Sequence, residues 1–221
     1  MQPLLQREQV RIGAAGAPSV LTLPADAPGL VLFTLGSDAG GSANHPARHD
    51  EFVANALHAH GVGSLLPERS DATAGTGRVA ADVERQTRCI DAVLVWATRH
   101  PATAGLRLGV FGTGAGAAAA LRAAADHANA VCAVVACSGR PDLAGGAALQ
   151  RVEAPTLLIV GGADADALAR NRQAMRQMGC RKRLEVVPGA SSRFLEPGTL
   201  DTAAHLAGAW FATHLTARCD T

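Results

Sequence analysis

The feature that most constrains this 221-residue chain is an alternation of short apolar runs with longer stretches of helical periodicity. Continuous apolar runs are typical of strands buried on both faces, and apolar residues repeated at helical spacing predict helices. Strands that alternate with helices predict an α/β fold, a mainly parallel sheet with helices on both faces. The predicted strands are 9–14, 19–23, 30–36, 64–66, 106–111, 131–137, 156–162 and 183–187, and the predicted helices are 51–60, 79–98, 115–127, 165–178 and 200–214.

The first two predicted strands flank the turn residues Gly16-Ala17-Pro18, which predicts an antiparallel hairpin at the start of the sheet. The central sheet therefore has about eight strands. The chain contains no repeat, no low-complexity linker and no break in composition, so we expect one domain over residues 1–221.

The composition excludes several classes of partner. The formal net charge is +1 without a run of one sign, which gives no basic surface for a nucleic acid or an anionic membrane. Aromatic residues make up 3% of the chain and Tyr is absent, so the stacking platforms of single-strand binders are missing. We expect neither a nucleic acid nor a membrane as partner, and nothing indicates the oligomeric state.

The five cysteines are scattered and form no C-x-x-C motif, so neither a disulfide framework nor a zinc site is predicted. Arg7, Glu8 and Arg11 fall where a signal peptide would need its apolar stretch, and no segment is long enough to span a bilayer. We therefore expect a protein of the cytoplasm, without a bound metal.

Three segments at the carboxyl ends of predicted strands, where parallel sheets bind ligands, resemble one known family. They are LGVFGTGAGAAAAL at 108–121, APTLLIVGGADADAL at 154–168 and LEVVPGASSRF at 184–194. In this order they resemble the α/β-hydrolase superfamily, and particularly its dienelactone-hydrolase-like branch. The resemblance implies an α/β-hydrolase fold in which the segments hold, in turn, the nucleophile elbow, the acid and the His of a catalytic triad.

Carried over residue by residue, the resemblance retains one triad member. The elbow pattern G-x-S-x-G aligns with Gly112 to Gly116 and places Gly114 at the nucleophile position. The acid position falls on Asp164, whereas Ser192 stands where the family has His. The resemblance therefore implies a triad of which two positions are substituted, and it implies no cofactor.

The resemblance also implies an oxyanion pocket. Many relatives have His-Gly after the strand at 30–35, but this chain has Leu35-Gly36. The backbone N–H of Ala115, with an N–H of Gly36 or Ser37, would still form an oxyanion hole, and Thr113 would border it.

Loss of both nucleophile and base removes triad chemistry, because an unassisted hydroxyl is a poor nucleophile at neutral pH. A glycine at the elbow tip keeps the turn, since it adopts positive φ without the strain of a side chain. The sequence therefore predicts an α/β-hydrolase-fold protein without Ser-His-Asp catalysis, whose pocket still binds a small molecule or a partner.

One alternative is an active carboxylic-ester or lactone hydrolase that uses non-standard residues. Thr113 is the polar side chain of the elbow, and Cys137 and Ser138 end the next strand at the same edge of the sheet. His45 and His49, expected in the loop after Gly36, are the candidates for a displaced base. Each of these residues also has an ordinary structural role as core, turn or solvated loop.

A second alternative comes from a different class of protein. Gly112-x-Gly114-x-x-Ala117 satisfies the loose fingerprint G-x-G-x-x-G/A of NAD(P)-binding turns, and Arg140 after the next strand would suit a phosphorylated ribose. The fingerprint belongs on the first strand of a βαβ unit, whereas two strands, a hairpin and two helices precede it here. The following strand also ends without the acidic residue that binds the ribose.

Overall fold

The structure of the protein, a computed structural model, describes residues 4–13, 16–34, 45–68 and 79–216, and within these ranges the side chains of all residues except 45–48 and 79. The predicted oxyanion residues Leu35, Gly36 and Ser37 lie outside the described residues.

Strands and helices alternate along the described chain as the apolar pattern predicts, although two short helices between residues 141 and 151 were not predicted. The strands are β1 (Leu5–Ile12), β2 (Ala17–Pro24), β3 (Gly29–Phe33), β4 (Gly63–Pro67), β5 (Arg107–Gly114), β6 (Val131–Gly139), β7 (Thr156–Gly161) and β8 (Lys182–Val187). The helices are α1 (His45–Ala59), α2 (Val79–Arg99), α3 (Ala115–Asp126), α4 (Gly146–Arg151), α5 (Ala165–Gln177) and α6 (Thr199–Thr216), with a short 3-10 helix at Pro141–Ala144.

The described residues form an eight-stranded sheet in the order β1-β2-β4-β3-β5-β6-β7-β8. The pairs β1–β2 and β2–β4 are antiparallel, and β4, β3, β5, β6, β7 and β8 run parallel to one another. The predicted mainly parallel sheet with an N-terminal antiparallel hairpin is therefore confirmed. Because the central strands are parallel, the carboxyl ends of β3, β5, β6, β7 and β8 lie at one edge of the sheet.

Helices cover both faces of the sheet. On one face, α1 and α6 pack through Leu57, Ala207 and Phe211 against Phe111 of β5 and its neighbours. On the other face, α2, α3 and α4 contribute to a second apolar cluster that also contains the buried side chains of the hairpin. None of the described helices combines the length and apolar character needed to cross a bilayer.

The structure corrects several predicted boundaries. The hairpin turn precedes Ala17 and Pro18, which belong to β2, because the Gly16 N–H donates to the Gly13 carbonyl and closes the turn earlier. Strand β5 continues to Gly114, so the elbow ends the strand itself. Helix α1 begins at His45, earlier than predicted, and Pro46 fits its first turn because proline lacks only an N–H that has no helical partner there.

Helix α3 lies unusually close to the carboxyl ends of β5 and β6. Its alanine-rich sequence buries most of its residues, including Ala117 at 0% exposure. A Cβ at Gly139 would lie 2.2 Å from the Cβ of Ala117, so only glycine allows this approach at the end of β6. Small residues on the helix and on the strand thus bring the elbow and the end of β6 together.

Candidate functional site

The turn between β5 and α3 has the backbone of a nucleophile elbow. Gly114 ends the strand at φ 52° and ψ −125°, directly before the first helical residue, Ala115. This conformation costs on the order of 1–3 kcal/mol for a residue with a side chain and little for glycine. The chain therefore retains the sharp strand-to-helix turn without a side chain at its tip.

The two outer glycines of the elbow are required by packing. A Cβ at Gly112 would lie 2.5 Å from the carbonyl oxygen of Gly116, and a Cβ at Gly116 would lie 2.1 Å from Oγ1 of Thr34. Both distances are far below van der Waals contact. The glycine pattern therefore has a structural reason that is independent of any nucleophile.

The elbow opens onto a cavity of about 250 Å³ at the carboxyl edge of the sheet. Gly114 and Ser192, two of the three predicted triad positions, both line it, and so does Thr113. Ala115 is buried at the start of α3. The other lining residues come from α1, β5, β6, the loop after β8 and α6: His49, Asp50, Val53, Phe111, Cys137, Ser138, Arg193, Phe194 and Leu200.

The loop that holds Ser192 is fixed by a carboxylate. The Ser191 N–H donates to Glu196 Oε2 at 2.9 Å, and the Ser191 hydroxyl donates to the same oxygen at 3.2 Å. The backbone hydrogen bond from Ser191 is the main cause that lowers the pKa of Glu196 below its usual range. These contacts hold the loop in which Ser192, the position predicted for the triad His, is exposed at the cavity wall.

Asp164, the predicted acid position, lies in the loop after β7 and caps a helix. Its Oδ1 accepts a hydrogen bond from the Ala167 N–H at 2.8 Å at the start of α5. The loop is tied to the Ser192 loop, because the Ala163 N–H donates to the Ala190 carbonyl at 2.9 Å. The Asp164 carboxylate thus has a structural partner, and Asp164 is not among the residues that line the cavity.

Burial makes Cys137 a poor nucleophile. The residue is 5% exposed on the cavity wall, and burial, together with the negative charge of Asp50, raises the pKa of its thiol to about 12. A thiol with this pKa is protonated at neutral pH, and the thiolate is the reactive form. Cys137 therefore acts here as a small apolar wall residue.

The structure places His45 and His49 in the first turns of α1, which corrects their predicted place in the preceding loop. His49 lines the cavity, whereas the side chain of His45 is not among those that the structure describes. Asp50, one residue further along α1, also lines the cavity, and sequence reasoning missed it. Helical periodicity upstream of residue 51 is the signal that would have found both, since α1 starts before its apolar stripe does.

Sequence reasoning also missed the cavity residues Arg193, Phe194 and Leu200. Arg193 and Phe194 directly follow Ser192, so their place in the chain was the available signal. Phe194 adopts φ 49°, which a side chain rarely tolerates, and this turn buries the ring in the cavity wall. The reversal of the chain at this residue could not be inferred from residue types.

Known proteins share both the sequence and the fold of this chain. The model of the dienelactone hydrolase family matches residues 47–214. The chain belongs to this family. The matched region includes the elbow, the Asp164 loop and the Ser192 loop, so all three predicted triad positions fall within it.

A solved structure supports the assignment to the dienelactone hydrolase family over almost the full length. The dienelactone hydrolase of Anabaena variabilis is 36% identical, with 97% of this chain and 99% of that chain covered and a TM-score of 0.83. Est1E from Butyrivibrio proteoclasticus is 14% identical, with a TM-score of 0.72 over 95% of this chain and 99% of that one. At this identity the second comparison shows the α/β-hydrolase fold alone.

The curated relatives that this chain matches are longer than the chain itself. A protein of Mycobacterium tuberculosis named "Putative phosphoribosyl transferase" is 43% identical over 217 residues, which are 96% of this chain and 48% of the relative. The chain thus spans about half the length of the curated relatives that it matches.

The residues that would bind NAD(P) in the second alternative make other contacts in this structure. Arg140, the candidate for a phosphorylated ribose, donates from Nε and Nη2 to the two carboxylate oxygens of Asp142 at 2.9 and 2.8 Å. Gly112 and Gly116 are used in the internal packing of the elbow. Among the described residues, no group of three or more His, Cys, Asp or Glu side chains could hold a metal ion.

Proposed function

We propose that this member of the dienelactone hydrolase family lacks Ser-His-Asp catalysis and binds a small molecule in the cavity at its elbow. Triad chemistry needs a nucleophile within hydrogen-bond reach of a base. At the two positions concerned the chain has Gly114, with no side chain, and Ser192, which is not a base at neutral pH.

One observation carries the proposal: the elbow backbone persists around a residue that cannot react, and it opens onto a cavity. The cavity combines apolar walls from Val53, Phe111 and Leu200 with a few polar groups, which is the usual makeup of a small-molecule site. Donor groups at a helix N-terminus bind a ligand oxygen without any need for a nucleophile. Binding of a ligand in this cavity therefore does not require a catalytic triad.

The experiment is hydrolysis of 4-nitrophenyl acetate by the purified protein and by Gly114→Ser, Ser192→His and the double variant. We expect the parent and both single variants to stay at the uncatalysed background, because a nucleophile and a base act as a unit. The double variant should exceed them at least about tenfold, with saturation by substrate. The matched control is Gly179→Ser with Ser192→His, which adds the same side chains but puts the hydroxyl at a position with no neighbour within 4 Å.

Saturable turnover by the parent would contradict the proposal and favour a hydrolase with non-standard residues. The experiment also tests this second function, because a candidate nucleophile, Thr113, and a candidate base, His49, line the same cavity. Thr113→Val and His49→Ala would then identify the responsible group, because either substitution abolishes turnover if its residue reacts. Cys137 is disfavoured as nucleophile by its raised pKa.

The name of the Mycobacterium tuberculosis relatives does not change this proposal. Their transferase name describes proteins about twice as long, of which this chain matches 48%. We propose no phosphoribosyl transfer by this chain and expect no thermal shift with 5-phosphoribosyl diphosphate. A shift that saturates with this compound would show that the chain takes part in binding it.

A further inference from the structure

Strand β8 forms one edge of the sheet, and no other described strand pairs with its outer side. A free strand edge presents unpaired N–H and C=O groups to which another strand can bind. Apolar side chains add to this tendency, because Leu184 is half-buried and Val186 is 38% exposed. The outer edge of β8 is therefore a candidate interaction surface.

The hydrogen bonds to β7 show which backbone groups of β8 face outward. The Thr156 N–H of β7 donates to the Arg181 carbonyl at 2.8 Å, so the carbonyl of residue 181 points inward. Backbone groups alternate in direction along a strand. The N–H and C=O groups of Lys182, Leu184 and Val186 therefore point to the free edge, where an antiparallel strand can pair with them.

The charges of β8 are complementary to a second copy of the same strand. Two identical strands that extend one sheet are related by a two-fold axis along the sheet normal, so only residues on the same face oppose each other. In the antiparallel register centred on Leu184, Arg183 of each copy lies opposite Glu185 of the other. Lys182 then lies opposite Val186, and these outward residues form the hydrogen-bonded pairs.

Charge disfavours the neighbouring registers of this pairing. A register centred on Arg183 places this guanidinium against its own copy, and one centred on Glu185 does the same with two carboxylates. Like charges directly opposite each other destabilise a strand pair, whereas opposite charges stabilise it. The sequence of β8 therefore selects the register centred on Leu184.

The opposite edge of the sheet, β1, has no such complementarity. Registers centred on Arg7 or Glu8 oppose like charges, and a register centred on Gln9 places Arg7 opposite Arg11. Charges in this arrangement protect an edge from association. A second copy therefore fits β8 and not β1.

The two charged side chains of β8 are accessible to a second copy. The side chain of Arg183 is 66% exposed and that of Glu185 is 24% exposed. Within one chain, Nε of Arg183 already contacts Oε1 of Glu185. Pairing of two strands would convert this isolated surface ion pair into a network of four charges, which stabilises more than a single exposed pair does.

We propose that β8 pairs with β8 of a second copy, in a two-fold dimer whose sheet is continuous through both molecules. The same surface is used by both copies, so the assembly closes at two. This inference goes beyond the proposed function and does not rest on it, because residues of β8 are not among those that line the cavity.

The test is sedimentation velocity of the parent and of charge variants at concentrations up to about 300 µM, because an interface built on one strand pair is small. We expect the parent to show a reversible equilibrium between monomer and dimer. Arg183→Glu makes both positions acidic, and Glu185→Arg makes both positions basic. Each single variant thus opposes like charges at both pairs and should raise the dissociation constant of the dimer at least about tenfold.

Two further samples restore the complementarity. The double variant R183E/E185R exchanges the two charges and should dimerise as the parent does. An equimolar mixture of the two single variants should form a heterodimer, because the acidic strand of one lies opposite the basic strand of the other. The matched control is Arg88→Glu, which breaks an exposed ion pair with Glu84 on α2 and should leave the dissociation constant unchanged.

Three results would overturn the proposal. They are a parent that stays monomeric over the whole concentration range, a dimer that both single variants retain, and a mixture of the single variants that stays monomeric. Circular dichroism of each variant verifies that the exchanged charges leave the fold unchanged. Hydrolysis and ligand binding play no part in these readouts, so the failure of this proposal and that of the proposed function are distinguishable.

Discussion

At Gly114 the absence of a side chain relieves the backbone of strain. A residue with a Cβ at φ 52° and ψ −125° costs on the order of 1–3 kcal/mol, which an active enzyme offsets elsewhere in the fold. Glycine adopts this conformation at little cost, so the elbow stores little strain. The flanking Gly112 and Gly116 are constrained differently, because their missing Cβ atoms leave room for backbone and for Thr34.

The close contacts around Gly116 predict that this position tolerates no side chain. In Gly116→Ala the new methyl group would lie 2.1 Å from Thr34 Oγ1 and 2.8 Å from Gln86 Oε1, both on buried residues. We expect the free energy of unfolding to fall by about 1–3 kcal/mol, as for other overpacked cores. Urea denaturation followed by circular dichroism measures the change. Gly179→Ala, where nothing lies within 4 Å, is the control and should stay within about 0.5 kcal/mol of the parent.

At the scale of elements, Asp164 now belongs to α5. Its carboxylate accepts the Ala167 N–H, one of the first-turn donors that an α-helix cannot satisfy by itself. A carboxylate there also interacts favourably with the helix dipole. The predicted acid position thus has a structural role that needs neither nucleophile nor base.

Substitutions at Asp164 should therefore follow capping preference. Asp164→Ala removes the acceptor and should lower the free energy of unfolding by about 1 kcal/mol, whereas Asp164→Asn should nearly retain it. Urea midpoints of the three proteins provide the comparison. Equal stability of the parent and Asp164→Ala would show that the cap contributes nothing to the free energy of unfolding. A role for the carboxylate in the functional site would then be favoured.

At the scale of the whole molecule, the fold disfavours the charged form of three imidazoles that are buried or partly buried. Burial is the main cause that lowers the pKa of His58, His60 and His214 below 6.5, and nearby Arg or His charges add to it. His58 is also hydrogen-bonded to Ser64. The folded chain therefore takes up protons at these sites less readily than the unfolded chain does.

Stability should consequently decrease in mild acid. Below 6.5 the unfolded state binds more protons at these histidines, so the free energy of unfolding falls with pH until the lowered pKa values of the folded state are reached. The measurement is a series of urea midpoints from about pH 8 to about pH 5. His58→Gln should reduce the slope of this curve below 6.5, whatever its effect on absolute stability. A slope identical to that of the parent would exclude His58 as a contributor.

The sequence by itself determined the order of the eight strands and of five helices, the hairpin and the family, because these depend on apolar periodicity and short motifs, whereas the substituted triad positions stay a prediction. Only the tertiary structure decided that α1 begins at His45, that Asp50 and Arg193 line the same cavity, and that Ser138 sits in a bulge. These features depend on contacts between segments distant in the chain and on local φ values, which residue type alone does not specify. Asp164 illustrates the difference between the two sources. The motif indicated its position in the chain, whereas only the fold shows that its carboxylate accepts the Ala167 N–H.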